Sequence, residues 1–229
     1  MRTGMISFAT AAIAATSGLA WICLGESTTA PAAPAEVALP APTTSGGMPL
    51  TEAIGKRRSV RRFARTALTR AEVSQLCWAA QGITEPDRGL RAAPSAMATY
   101  PVDVYMIDAT GLYQYEPGRH ILRRIAEGDM LARLRSAVGQ GPVRSAPACM
   151  LLALDYERSR GRCGDRAERY GLLEVGHIAQ NVLLAATAMG LAGCPVGGMD
   201  EHNCIAVLGL PERLVAAYLL PIGHPQEEQ

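Results

Sequence analysis

The sequence predicts an α+β domain in which helices flank a central mixed or antiparallel sheet, and three observations carry that prediction. Helical and strand patterns follow one another without the regular βαβ alternation of a dinucleotide fold. VDVYMID and LYQYE alternate apolar and polar positions on either side of Thr110-Gly111, which is the pattern of a β-hairpin. YGLLEVGHIAQNVLLAATAMG, residues 170–190, is helical in period and apolar on most of its circumference, so it belongs in the middle of a domain. At 229 residues and 48% hydrophobic content the chain can bury a full core.

From the N-terminus, residues 1–24 place Arg2 ahead of an uncharged stretch, MISFATAAIAATSGLAWICL. This reads as an export signal that is also long enough to remain as a membrane anchor. Trp21 and Ile22, directly before Cys23, are too bulky for lipoprotein processing. Residues 25–47 are rich in Pro, Ala, Ser and Thr and read as a disordered tether, with the folded domain expected over 48–229. PLTEAIGK predicts a short helix. Thr69 and Glu72 have capping-box spacing, and Val73, Leu76, Cys77 and Ala80 continue a second helix until Gly82. Residues 83–100 have loop chemistry. After the hairpin, Ile121, Leu122, Ile125, Leu131 and Leu134 fit a helical period, with Gly128 dividing two short helices. PACMLLALDY reads as a buried strand, Gly190 as the residue just past the long helix, CPVGGMD as a glycine turn, Asp200 as the cap of a helix ended by Gly209, and LVAAYLLPIG as a final buried strand.

The charges nearly cancel, 22 basic against 21 acidic residues, so the chain lacks the global basic excess of a non-specific nucleic-acid binder. RRSVRRFAR is therefore a local device. Guanidinium forks and a hydroxyl at a helix end suit a phosphate monoester, and Phe63 implies that part of the run packs inward. PSAM and CPVGG both offer main chain that a planar ligand can approach closely. Cys77 and Cys149 read as buried free thiols, and neither the cysteine nor the histidine spacing suggests a metal site. His177 reads as a hydrogen-bonded interior residue, and His120 and His202 as exposed ones.

Taken as an ordered set, RRSVRRF, PSAMATYP, the hairpin GLYQYEPGRHILRRI, the helix EVGHIAQNVLLAATAMGL running into GCPVGG, and LGLP followed by YLLPIGHP resemble the FMN-dependent nitroreductase superfamily, and within it the SagB-type, thiazole/oxazole-dehydrogenase-like branch. The resemblance spans Pro49 to Pro225. It implies a nitroreductase-like fold with the long helix at the core of a homodimer and FMN at the subunit interface. Arg57, Arg58, Ser59 and Arg61 would hold the phosphate and ribityl end. Pro94, Ser95, Ala96 and Met97 would come from the partner subunit, and Pro195, Val196, Gly197 and Gly198 would lie against the isoalloxazine ring. Arg62 and Arg65 receive no role and are expected to be solvated or paired with surface carboxylates.

The implied activity is hydride transfer between flavin N5 and a small organic or peptide-like substrate outside the cytoplasm, where NAD(P)H is scarce, so that the enzyme would use another donor or work as an oxidase passing electrons to oxygen or quinone. Two departures from the resemblance stand out. GHPQEEQ supplies no basic residue to reinforce the phosphate site, which then leans on the front arginines. Arg169-Tyr170 stands where heterocycle-forming dehydrogenases carry Lys-Tyr. An arginine stays protonated, which argues against azoline oxidation and leaves Tyr170 as the candidate proton donor. The same departure motivates a second reading, a non-catalytic flavin-binding subunit of a modifying complex.

Overall fold

A computed structural model describes residues 35–226. Its main sheet follows from one strand, β7 (Ala148–Leu154), in which all seven residues are buried. Side chains alternate across a strand. Ala148, Met150, Leu152 and Leu154 therefore join one core layer, while Cys149, Leu151 and Ala153 join the other. Each buried leucine contributes about 1.5–3 kcal/mol relative to exposure. β4 (Val102–Ile107) pairs with one edge of β7 and β9 (Val215–Gly223) with the other. β5 (Gly111–Glu116), β6 (Ile121–Glu127) and β1 (Glu36–Ala38) extend the sheet beyond β4, and the two-residue β8 (Ala192–Gly193) closes it beyond β9. The order is β1-β6-β5-β4-β7-β9-β8, and every pair in it is antiparallel. The expected α+β architecture is the one observed.

Helices cover both faces. On one side lie α1 (Leu50–Lys56), α2 (Arg70–Gln81), α5 (Tyr156–Cys163) and the 22-residue α6 (Ala167–Ala188), with α1, α2 and α5 all packed against α6. On the other side α3 (Met130–Ala137), the short α4 (Gly141–Ser145) and α7 (Glu201–Leu208) pack on Leu151, Ala216 and Leu219. The end signals act as the sequence predicts. Thr69 and Glu72 form a full capping box, Asp200 accepts from the Asn203 amide at 2.9 Å, and Gly190 and Gly209 take left-handed φ values of 76° and 65°.

Three expectations are corrected. Residues 121–127 form strand β6 and not a helix, although their spacing fits both. Leu122 lies between Tyr115 of β5 and Val37 of β1, so the pairing of three strands outweighs local periodicity, and the quoted hairpin GLYQYEPGRHILRRI is the arrangement that forms. Gly128, at φ 97°, thus separates a strand from α3, whose cap is Asp129. The described part of the expected tether is docked on the domain. Val37 pairs with Leu122, Arg119 grips Glu36 through two 2.6 Å hydrogen bonds, and the Ser74 hydroxyl donates to the Pro40 carbonyl at 2.6 Å. His120 is half-buried, with Nδ1 2.8 Å from the Tyr115 hydroxyl and Nε2 2.8 Å from the Ser74 hydroxyl. The loop over 83–100 also contains a small ribbon, β2 (Ile83–Glu85) paired with β3 (Leu90–Arg91). The leader, residues 1–24, lies outside the described residues.

Gly223 ends β9 against the Pro147 ring, where an added Cβ would stand 2.6 Å from Cδ and 2.8 Å from Cγ. A proline ring cannot rotate away. Gly223→Ala is expected to cost about 1–3 kcal/mol and lower Tm by several degrees. Gly161→Ala, in the exposed interior of α5 with nothing within 4 Å, is expected to stabilise slightly. Thermal denaturation followed by circular dichroism checks both.

Candidate functional site

Residues 57–64 leave α1 and run extended along the outer edge of the sheet. Ser59 bridges Gly193 in parallel, and the Val60 amide donates to the Gly193 carbonyl at 3.1 Å. Phe63 then bridges Pro225, the Ala64 amide donates to the His224 carbonyl at 2.9 Å, and the Gln226 amide returns a bond to the Arg62 carbonyl. Phe63 is buried with Ala146, Ala192 and Cys194, as its place inside the run implied. The Ser145 hydroxyl fixes the same segment by donating to the Arg61 carbonyl at 2.9 Å.

That backbone strap sets the arginines out. Arg57 is half-buried, and Arg58, Arg61, Arg62 and Arg65 are exposed. Arg58 folds back onto the carbonyls of Gly55 and Arg57, and Arg61 donates to the Ser59 carbonyl at 3.3 Å. None of the five forms an ion pair among the described residues. Arg62 and Arg65 are exposed and take no carboxylate partner among the described residues.

The glycine turn follows directly from the strap's partner. After Gly193, the Cys194 amide donates to the Pro221 carbonyl, and Val196 exchanges bonds of 2.8 and 3.1 Å with Leu219 of β9. These bonds leave Gly197 and Gly198 exposed as a main-chain face without side chains. A Cβ on Gly197 would stand 3.4 Å from the Tyr218 ring, and the Gln140 amide donates to the Gly198 carbonyl. Gln140 and Tyr218 were not singled out in the sequence. Tyr218 lies within the quoted YLLPIGHP but drew no role there, and only the fold brings the two to the turn. Burial is the larger influence on the Cys194 thiol and raises its pKa, with the nearby Arg61 charge opposing it.

Two of the three candidate segments are thus neighbours, Arg57–Arg61 with Pro195–Gly198. The third, Pro94–Met97, is elsewhere on the same chain. Its Ser95 hydroxyl accepts from the Tyr100 amide at 2.9 Å, its Met97 carbonyl accepts from Arg162 at 3.1 Å, and the Met97 side chain is 65% exposed. Met97, Ala98 and Tyr100 all have left-handed φ, 55°, 51° and 45°, a conformation that costs non-glycine residues about 1–3 kcal/mol each and needs firm external support. Arg91 supplies some of it, lying 4.0 Å over the Tyr100 ring. The loop faces the first half of α6 around Glu174, whereas Gly193 packs against Leu183. Nine helical residues separate those two points, roughly 13 Å along the axis. Tyr170 lies one turn before Glu174, and its hydroxyl accepts from Arg166 at 3.2 Å, while Arg169 is exposed.

On α6 the expected interior position of His177 is corrected. His177 is exposed, and Glu174, three residues earlier, is 2% exposed. Burial holds the Glu174 carboxyl above the usual carboxylate range, opposed by hydrogen bonds from Ser95 and Gln81 and by the charges of Arg91 and Arg158.

Residues 54–224 match the Nitroreductase family, a span that includes the strap, the loop, α6 and the glycine turn. The chain belongs to this family. A nitroreductase-family protein of Methanocaldococcus jannaschii is 37% identical over 185 residues, covering 78% of this chain and 92% of the relative. An NADPH-flavin oxidoreductase of Vibrio harveyi is 31% identical over 113 residues, 45% of this chain and 47% of the relative. A nitroreductase-family crystal structure from Ralstonia eutropha superposes with a TM-score of 0.78 at 27% identity, covering 84% of this chain and 90% of that one. Nitroreductase-family membership accounts for the fold and makes the chain's general class that of an oxidoreductase.

The Cys194 thiol beside this candidate site is not poised as a nucleophile. Cys77, Cys149, Cys194 and Cys204 are buried, burial raises the pKa of each, and that of Cys204 reaches about 12. Iodoacetamide at neutral pH is expected to label the half-buried Cys163 well before any of these four, as read by peptide mass spectrometry.

Proposed function

We propose that this nitroreductase is an FMN-dependent oxidoreductase of the SagB-like branch, a homodimer that works outside the cytoplasm and moves a hydride between flavin N5 and a small organic or peptide-like substrate. The observation that carries the proposal is the Ser59–Gly193 bridge. It sets guanidiniums that pair with no carboxylate among the described residues next to a bare glycine face. The residues fit the cofactor's two ends. Arg57, Arg58, Ser59 and Arg61 offer charge-assisted donors to a phosphate, and Pro195, Val196, Gly197 and Gly198 offer a main-chain surface to a planar ring. Flavin would supply the redox chemistry, and the chain's share is binding, orientation and exclusion of water. A flavin oxidoreductase among the relatives supports the same choice.

Two observations support the dimer. Leu50 and Ile54 on α1 and Leu172 and Leu173 on the adjoining α6 are 65%, 56%, 48% and 53% exposed, an apolar surface suited to a second copy. The separation of the Pro94–Met97 loop from its own chain's glycine turn also suits a loop delivered to the partner's site. Tyr170 lies at the same end of α6, and its hydroxyl, beside Arg166, is the candidate proton donor there. Branch membership rests on the E-x-G-H-x-x-Q-N pattern of α6, and export on the uncharged leader. The Arg169-Tyr170 pair keeps the second reading, a flavin-binding subunit without turnover of its own.

Charge-assisted bonds contribute about 1.5–3 kcal/mol each, so Arg57→Ala with Arg61→Ala is expected to raise the FMN Kd by about a hundredfold or more. Flavin absorbance after dialysis and an equilibrium titration measure this. Unchanged occupancy in the double variant would remove the phosphate assignment. Stopped-flow reduction of the flavin by a donor, followed by reoxidation with quinone, separates an enzyme from a binding subunit.

A further inference from the structure

The polar chain under the Pro94–Tyr100 loop has a single buried acid at its base. Gln81 of α2 donates to Glu174 Oε1 at 3.3 Å, and Arg91 donates to Gln81 Oε1 at 2.8 Å while covering Tyr100. The Ser95 side chain lies beside the same carboxyl group and lowers its pKa. Because the Tyr100 amide already donates to Ser95 Oγ, the Ser95 hydroxyl proton is free to go to Glu174. The chain therefore runs from α6 through Ser95 to the residues with left-handed φ. Two more guanidiniums hold that segment from α5, with Arg158 donating to the Tyr100 carbonyl and Arg162 to the Met97 carbonyl. An acid 2% exposed on the long helix is costly to bury, and among the described residues it lies beside this strained loop.

We infer that Glu174 is a positioning residue that acts in trans: through Ser95 it holds the Pro94–Met97 loop of its own subunit in the shape needed by the flavin site of the partner subunit. This rests on the dimeric flavin reading above and goes beyond it. It assigns the buried acid a target in the other protomer. Glu174 touches neither phosphate clamp nor glycine turn in its own chain, so a variant there leaves its own Arg57–Arg61 segment intact.

A mixed dimer decides between action in trans and action in cis. Glu174→Ala subunits with one affinity tag are co-expressed with Arg57→Ala/Arg61→Ala subunits bearing another, and the heterodimer is isolated through both tags. If Glu174 acts in trans, the defects fall on the same site. One site then combines an intact clamp with an intact loop, and the heterodimer holds one flavin at wild-type affinity although each parent homodimer binds at least tenfold more weakly. If it acts in cis, both sites carry a defect and no wild-type site remains, which would overturn the inference. Ser95→Ala removes the hydroxyl without opening a core cavity and is expected to reproduce the Glu174→Ala pattern, so the test stands even if that variant folds poorly. Glu174→Gln keeps the hydrogen-bonding shape and is expected to retain flavin within a fewfold. Wild-type affinity in the Ser95→Ala homodimer would also overturn the inference. A wild-type dimer that binds no FMN would instead remove the flavin reading, and the inference with it.

Discussion

The hydrogen-bonded strap formed by residues 57–64 is the constraint on which the candidate site depends. An arginine-rich segment left to solvent would repel itself and sample many conformations. Here Val60 and Ala64 are tied to carbonyls at the Gly193 and His224 ends of the sheet edge, and buried Phe63 anchors the middle. The backbone is fixed by partners that do not involve the charges, and among the described residues no carboxylate neutralises the guanidiniums it carries. The strap bonds to Gly193 of β8 and to the residues just past β9, while Leu219 of β9 holds Val196, so clamp and glycine turn are registered on the same end of the sheet.

The second organising element is α6. It buries Val175, Ile178, Val182 and Ala186 against the sheet and leaves Leu172 and Leu173 facing outward. It also links two distant places. Its C-terminal half supports Gly193 through Leu183, and its N-terminal half supports the strained loop through Glu174. Because the helix keeps the loop and the glycine turn apart within one chain, it gives a physical reason for the proposal that the two serve sites completed by different subunits.

What the sequence made legible was set by local chemistry. The capping box at Thr69, the left-handed glycines at 190 and 209, the buried β7 strand and the inward Phe63 all have causes within a few residues, and all are present. Non-local pairing was less visible. Ile121, Leu122 and Ile125 satisfy a helical spacing, and only the neighbours Tyr115 and Val37 make the segment a strand. Residues 36–43 look like a linker by composition, yet three residues of strand pairing, the Arg119–Glu36 contact and the Ser74–Pro40 bond suffice to dock them. On α6 the pattern Glu-x-Gly-His did not reveal which polar residue is buried. Three positions along a helix turn it by about 300°, so small differences in helix orientation decide which side chain enters the core.

The central claim is that the strap and the glycine turn form one site with a phosphate end and a ring end. Parallel equilibrium titrations of the apo protein with FMN and with riboflavin, which lacks the phosphate, test it most directly. The account predicts one FMN per subunit, bound at least a hundredfold more tightly than riboflavin, with that difference shrinking as salt is raised. Equal affinity for the two flavins, or no saturable binding of either, would contradict it.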